Sequence, residues 1–91
     1  EKRLETMALK ILYFASLRES IGVAEEHLQP SADVHNIKEL ITWLSKQSKA
    51  HASAFKNHAQ IHVALDQTHS SHETSIKGVK EIAFFPPVTG G

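Results

Sequence analysis

Cysteine is absent from the 91 residues of this chain. The sequence therefore excludes disulfide bonds, thiolate nucleophiles and cysteine-containing metal sites together. Net charge is also missing, because ten basic residues balance ten acidic ones, so we expect no nucleic-acid partner and no anionic membrane surface. No apolar run approaches the roughly 20 residues that span a bilayer, and no signal-peptide pattern opens the chain. These absences predict a cytoplasmic protein.

Hydrophobic residues make up 41% of the chain and charged residues 22%. This balance is typical of one small globular domain with a modest core. Residues 1–6 are polar and precede Met7, so we expect them to be a disordered leader or a remnant of expression. Residues 7–91 are expected to form a single domain that ends in an extended tail over residues 86–91.

The patterned segments of this domain alternate between strand and helix signals. Asn36 followed by Glu39 predicts a capping box, since each side chain can accept a bond from a free N–H of a first helical turn. An apolar stripe at i, i+3, i+4 and i+7 then predicts the main helix, which fades near Ser48. The stripe consists of Ile37, Leu40, Ile41 and Leu44.

The other segments complete an α+β fold, with one main helix packed on a mixed sheet of about five strands. Runs of strand-forming residues predict strands at 8–14, 61–65 and 81–85, and weaker strands at 25–29 and 76–79. We expect a connection over residues 15–24, with Gly22 near its turn, and a short helical turn over residues 50–55.

The two strongest strands carry apolar residues on both faces. One helix covers only one side of a small sheet, which leaves the second apolar face without a cover. If Ile11, Tyr13, Ile82 and Phe84 meet the helix, the residues left outside are Leu12, Phe14, Ala83 and Phe85. Loops of the same chain could cover these residues. Alternatively, they form a contiguous apolar patch that binds another protein. We favour the patch, because Phe85 immediately precedes the tail.

The tail reads Pro86-Pro87-Val88-Thr89-Gly90-Gly91. The prolines cannot continue a strand ladder and hold the backbone extended. Six extended residues reach about 20 Å, which is enough to thread a terminus into a partner's site. Gly90 and Gly91 lack a Cβ and fit a narrow channel. A glycine pair alone is also typical of an ordinary frayed end, and the adjacent prolines and aromatic pair favour function.

The segment from Phe84 to Gly91 resembles the C-terminal signature of the small subunit family of molybdopterin synthase. Residues 12–19, LYFASLRE, are similar to that family's first strand and following loop. The resemblance covers about residues 8–91 and implies a β-grasp fold, which is the fold of ubiquitin. The chain departs from the family pattern at Lys77-Gly78-Val79-Lys80, where many members have an Asp-Gly-Asp turn, and it is balanced in charge where members are often acidic.

The resemblance also implies a mechanism. A ubiquitin-activating-like adenylyltransferase uses ATP to adenylate the carboxylate of Gly91, and a sulfur donor system converts it to a thiocarboxylate. Residues 86–90 insert into the large synthase subunit, where the sulfur passes to a precursor pterin, and small and large subunits form a heterotetramer. Leu12, Phe14, Ala83 and Phe85 are the expected partner interface. The chain is then not an enzyme by itself, and no tightly bound cofactor or metal is expected.

Three alternatives remain open from the sequence. The chain could be a β-grasp sulfur carrier for thiazole or thiolated tRNA synthesis, a ubiquitin-like modifier conjugated to lysines, or an interaction module with an unmodified tail. The seven histidines include two pairs with metal-like spacing, His58 with His62 and His69 with His72. No metal-binding motif accompanies them, so solvated loop histidines are the preferred interpretation.

Overall fold

A computed structural model describes residues 8–87 of the chain. The predicted leader at residues 1–6 and the tail residues Val88, Thr89, Gly90 and Gly91 lie outside the described residues. Five strands, three α-helices and one 3-10 helix follow one another between them. They are β1 (Leu9–Tyr13), α1 (Ala15–Ile21), β2 (Glu25–Leu28), α2 (Ile37–Ser45), α3 (Lys49–Ala54), the 3-10 helix (His58–Gln60), β3 (His62–Leu65), β4 (Thr68–Ser70) and β5 (Glu81–Phe85).

The strands form one mixed sheet in the order β2-β1-β5-β3-β4. The two central strands, β1 and β5, are parallel, and the outer pairs are antiparallel. The central strands are also the most apolar, because a strand with neighbours on both sides is covered more completely than an edge strand. The polar strands β2 and β4 stand at the edges, where charged side chains discourage pairing with other chains. The predicted α+β fold is confirmed.

Helix α2 begins where the sequence predicts it. The Asn36 side chain accepts a hydrogen bond from the backbone N–H of Glu39 at 2.8 Å. The Glu39 carboxylate accepts one from the backbone N–H of His35 at 2.7 Å, one residue before the cap. Carbonyls of the loop after β4 serve two further N–H groups of the first turn, because Ile37 donates to Thr74 and Lys38 to His72. The helix start is therefore held by the tertiary fold as well as by its own cap.

The core lies between α2 and one face of the sheet. The predicted helix stripe of Ile37, Leu40, Ile41 and Leu44 is buried, as are Ile11, Tyr13, Ile82 and Phe84 on the facing strands. Phe55, at the end of α3, packs edge-on against Phe84 with 5.1 Å between ring centroids. Val63 and Leu65 extend the core under β3. Alternation along β1, β3 and β5 therefore identified the inner face correctly.

The predicted connection over residues 15–24 is wrong in its first part, because residues 15–21 form helix α1. Leu17 is buried and Ile21 packs against the core. The two residues are four positions apart, so they lie on the same face of the helix. Gly22 ends the helix in the left-handed region with φ of 96°, and its N–H donates to the Arg18 carbonyl at 2.8 Å. Phe14 precedes the helix without a side-chain cap, so the usual start signal is missing from the sequence.

The predicted weak strand at residues 76–79 is also wrong, and the edge strand β4 lies earlier, at Thr68–Ser70. Gly78 has a φ of 78° and the N–H of Val79 donates to the Ile76 carbonyl. This turn is incompatible with an extended strand. Asp66 and Gln67 both have positive φ and form the two-residue turn between β3 and β4. The Asp66 carboxylate accepts hydrogen bonds from the backbone N–H groups of Lys80 and Glu81, at 3.0 and 2.9 Å, which fixes the start of β5.

Candidate functional site

The sheet face opposite the helices changes character along the central strands. At the beginning of β1 and β5 the face is polar, where the Lys10 ammonium lies 3.9 Å from the Glu81 carboxylate. At the ends of the same strands it is apolar and aromatic. We call the apolar end the docking surface, after the partner interface that the sequence predicts there, and define it by Leu12, Phe14, Ala83 and Phe85. The docking surface therefore lies at the end of the sheet from which the tail departs.

Phe14 and Phe85 form the centre of the docking surface. Their rings stack with centroids 4.7 Å apart and planes 5° from parallel. The parallel pairing of β1 with β5 brings them together, because Tyr13 pairs with Phe84 and the next residue of each strand lies alongside. The Phe14 N–H donates to the Phe84 carbonyl at 3.2 Å. Phe14 is 40% exposed, and its contact with Phe85 makes it part of a contiguous apolar area rather than an isolated exposed residue.

Ala83 does not belong to the exposed part of the surface, and this corrects the prediction. It is only 6% exposed, because it sits in the middle of the sheet with Leu12 on one side and Ala64 on the other. Of the four residues, Phe14 is exposed, Leu12 and Phe85 are half-buried, and Ala83 is buried.

Val23 is a neighbour that the sequence patterns did not reveal. Val23 is 43% exposed. Among the described residues, Phe14 and Val23 are the two large hydrophobic side chains that are exposed to solvent. Glu25 at the start of β2 pairs with Leu12, and the Ala24 carbonyl accepts a hydrogen bond from the Tyr13 N–H at 2.9 Å. These contacts place Val23 beside the end of β1. Strand pairing, which no local pattern encodes, extends the apolar area toward the sheet edge.

Strand β5 ends at Phe85, as predicted from the two prolines that follow. Pro86 is half-buried, and Pro87 is exposed and has no secondary structure. A proline has no N–H to donate to a neighbouring strand, so the ladder stops here. The chain therefore leaves the sheet directly from the Phe14–Phe85 stack. The other predicted tail residues, Val88, Thr89, Gly90 and Gly91, lie outside the described residues.

A partly buried polar network supports β1 from the inner face. The Tyr13 hydroxyl donates to the Glu26 carboxylate at 2.7 Å, and His51 Nε2 lies 2.8 Å from the same oxygen. An ionised carboxylate only accepts, so Nε2 carries the proton and donates it. Ser48 Oγ lies 2.8 Å from His51 Nδ1 and accepts a hydrogen bond from the His51 backbone N–H. His51 is only 8% exposed and the Glu26 side chain 26% exposed, so the network links β1, the edge strand β2 and α3 at the margin of the core.

The network shifts the pKa of two of its members. Burial, and then the hydrogen bond and charge of Glu26, raise the pKa of Tyr13 far above its ordinary range. Burial also favours the neutral form of Glu26, but the hydrogen bonds from His51 and Tyr13 outweigh it and lower the pKa of that carboxyl below its ordinary value. Tyr13 is therefore a neutral donor and Glu26 a carboxylate at neutral pH.

Replacing Glu26 by glutamine is expected to lower the free energy of unfolding at pH 7 by about 1–2 kcal/mol, because it weakens two hydrogen bonds to a charged acceptor. The folded-state pKa of Glu26 is depressed, so its stabilising contribution is present above the unfolded pKa and is lost as the pH falls through the folded pKa. The stability difference between wild type and E26Q should therefore shrink below about pH 4. Urea unfolding at several pH values measures it.

Glu25→Gln is the matched control for this experiment. Glu25 neighbours Glu26 in the same strand, but its side chain faces the other way, is 47% exposed and pairs with His27 at the surface. We expect its substitution to change stability by less than about 0.5 kcal/mol. An E26Q protein as stable as E25Q across the pH range would show that the network contributes nothing to folding.

Within residues 8–87 no group of three or more histidine, aspartate and glutamate side chains is placed to hold a metal ion. The same residues include no helix that is long and apolar enough to cross a membrane. The features that stand out at this site are therefore the aromatic pair and the departing tail. The fold that carries them, a five-stranded mixed sheet with a central parallel strand pair and its helices packed on the other face, defines a ubiquitin-like β-grasp protein.

A model of the ThiS family matches residues 11–91, and the chain belongs to this family. It is 37% identical to the molybdopterin synthase sulfur carrier subunit of Haemophilus influenzae and 34% identical to that of Escherichia coli, in both cases over 91% of this chain and 99% of the relative. Its fold is similar to the crystal structure of SAMP1 from Haloferax volcanii, with a TM-score of 0.68 and 22% identity over 92% of this chain and 99% of that one. The resemblance drawn from the tail and first strand is thereby confirmed.

Proposed function

We propose that this chain is the sulfur-carrying small subunit of a molybdopterin synthase, and that its cargo is held on the terminal carboxyl group of Gly91. The observation that carries the proposal is the end of strand β5, where Pro86 and Pro87 follow directly on the Phe14–Phe85 stack. The same chain is 37% identical, over nearly its full length, to a sulfur carrier subunit of that synthase. A surface for the partner and a reactive terminus beside it are the two parts that such a carrier requires.

The first part, a surface for the partner, is the docking surface, on which the large subunit binds. Exposed aromatic side chains over an apolar centre are enriched at protein interfaces, and a polar rim keeps the free protein soluble. Lys10 and Glu81 at the opposite end of the sheet fit this description of a rim. The two prolines then hold the tail extended, so that docking of the sheet directs the terminus into the partner's pocket.

Activation of the carboxylate supplies the second part. A carboxylate is a poor electrophile, so an adenylyltransferase first joins it to the α-phosphate of ATP and releases pyrophosphate. A sulfur donor system then provides the nucleophile that displaces AMP from the carbonyl carbon, which leaves a thiocarboxylate. ATP is bound by the activating partner, and the pterin pocket and its acid–base residues belong to the large subunit. The cysteine-free sequence is compatible with sulfur carried on the carbonyl carbon rather than on a side chain.

Intact mass spectrometry of protein purified from its native host tests the proposal. We expect part of the population to gain the mass that corresponds to one oxygen replaced by one sulfur, located by fragmentation at Gly91. The matched control is the same protein from a host strain that lacks the adenylyltransferase, where the gain should vanish. Lysine-linked adducts instead would indicate a ubiquitin-like modifier, and an unmodified terminus in a host with an active pathway would contradict the proposal.

A further inference from the structure

Two histidines from separate strands meet on the outer face of the sheet. His62 begins β3 and His69 lies in β4. The antiparallel register pairs Ala64 with His69, so His62, two residues before Ala64, points to the same face. The two positions are diagonal neighbours, which lie close enough for long side chains to interact. Their ring centroids are 5.5 Å apart, with the planes tilted by 45°.

This spacing fits a shared metal ion. A cation bound about 2.0–2.1 Å from one nitrogen of each imidazole requires ring centroids roughly 4.5–5.5 Å apart. The β3–β4 hairpin holds the two backbones in register through the turn at Asp66 and Gln67, so the chelating pair is largely formed before a metal binds. Both side chains are exposed, which leaves the remaining coordination positions to water.

Four other histidines differ, because the close polar neighbour of each is a protein oxygen rather than a second imidazole. His51 and His72 are bonded to Glu26 and to the Ile61 carbonyl, and His27 and His35 lie beside Glu25 and Glu39. The sequence spacing suggested His58 with His62 and His69 with His72. Strand pairing instead brings together one member of each of these pairs.

We propose that His62 and His69 form a two-histidine site for a late first-row divalent cation, with Cu2+ preferred over Ni2+ and Zn2+. Neutral imidazole nitrogen suits these metals, and Mg2+ and Ca2+ prefer oxygen ligands. The order of preference follows the general affinity series of the divalent ions. His62 pairs with Phe85, so the bound ion lies next to the docking surface. The site does not depend on the sulfur-carrier function.

Titration of the full chain with Cu2+ tests the site, read by calorimetry and by electron paramagnetic resonance. We expect one equivalent of Cu2+ to bind tightly to the chain, and the paramagnetic resonance spectrum of this bound copper to show two nitrogen ligands. The substitutions H62Q and H69Q should each lower the affinity for this tightly bound Cu2+ by at least about tenfold, because a single imidazole loses the chelate advantage. Both residues are exposed, so the fold should survive, and thermal unfolding of each variant checks it.

His58→Gln is the matched control, since His58 is an exposed histidine of the neighbouring 3-10 helix. It should leave the tight equivalent and its spectrum unchanged. Wild type and the H62Q/H69Q double variant binding Cu2+ with the same affinity and the same spectrum would overturn the proposal. Equal weakening by H58Q would overturn it too, because the copper would then be bound by scattered histidines rather than by this pair.

Discussion

Deletion of Gly91 is expected to abolish sulfur transfer and leave the folded domain unchanged. Within residues 8–87 the core and the sheet lie before Pro86, so we expect loss of the terminal residue to leave their packing unchanged. Without it, the carboxylate belongs to Gly90 and stops about 3.5 Å short of its position in the partner. Displacements of even 1 Å at a reacting centre cost on the order of a hundredfold in rate. The loss should therefore be complete within the limits of detection.

The measurement is formation of molybdopterin from precursor by the reconstituted synthase, with the thermal midpoint of each small subunit as the folding check. A variant lacking residues 1–6 is the control, because it is shortened at the other end and keeps the tail. It should be loaded with sulfur and donate it at the wild-type rate. A Gly91-deleted protein that still supports molybdopterin formation would refute the assignment of the cargo to this carboxyl group.

Substitution of Phe14 by alanine is expected to weaken binding to the large subunit by at least about 2 kcal/mol, or roughly 30-fold, because aromatic anchors at the centre of an interface dominate its affinity. Phe14 is 40% exposed in the free chain. Its loss removes the stack with Phe85 but opens no cavity in the core, so stability should fall by less than about 1 kcal/mol. Isothermal titration calorimetry gives the affinity and urea unfolding gives the stability.

His27→Ala is the control on the same sheet face. His27 pairs with Lys10 at the polar end of that face, away from the aromatic pair. Its substitution should change the affinity by no more than about threefold, as is usual for a residue at the rim of an interface. A folded F14A protein that binds the large subunit as tightly as H27A does would show that the aromatic pair is not the docking surface.

The architecture of the domain could be predicted where local chemistry and packing agree. The Asn36 cap and the apolar stripe behind it required a helix, and the alternation of Ile61, Val63 and Leu65 required a strand with one buried face. The prediction failed where the stabilising partner is distant in sequence. Helix α1 lacks a side-chain cap and is short, and it forms because Leu17 enters the common core. Strand β4 is polar and forms because β3 offers it a partner.

For the site, the sequence by itself determined the tail and its stop signal, since Pro86 and Pro87 lack the N–H that a central strand donates and the Phe84–Gly91 signature is local. It also determined that both faces of the central strands are apolar.

Only the tertiary structure decided which of those residues are accessible. Parallel pairing of β1 with β5 stacks Phe14 on Phe85, and the middle of the sheet buries Ala83. Antiparallel pairing of β1 with β2 brings Val23 to the end of β1 and Glu26 to Tyr13, and helix α3 adds His51. Pairing of β3 with β4 sets His62 against His69. These neighbours are set by contacts between distant segments, which the order of residues along one strand does not record.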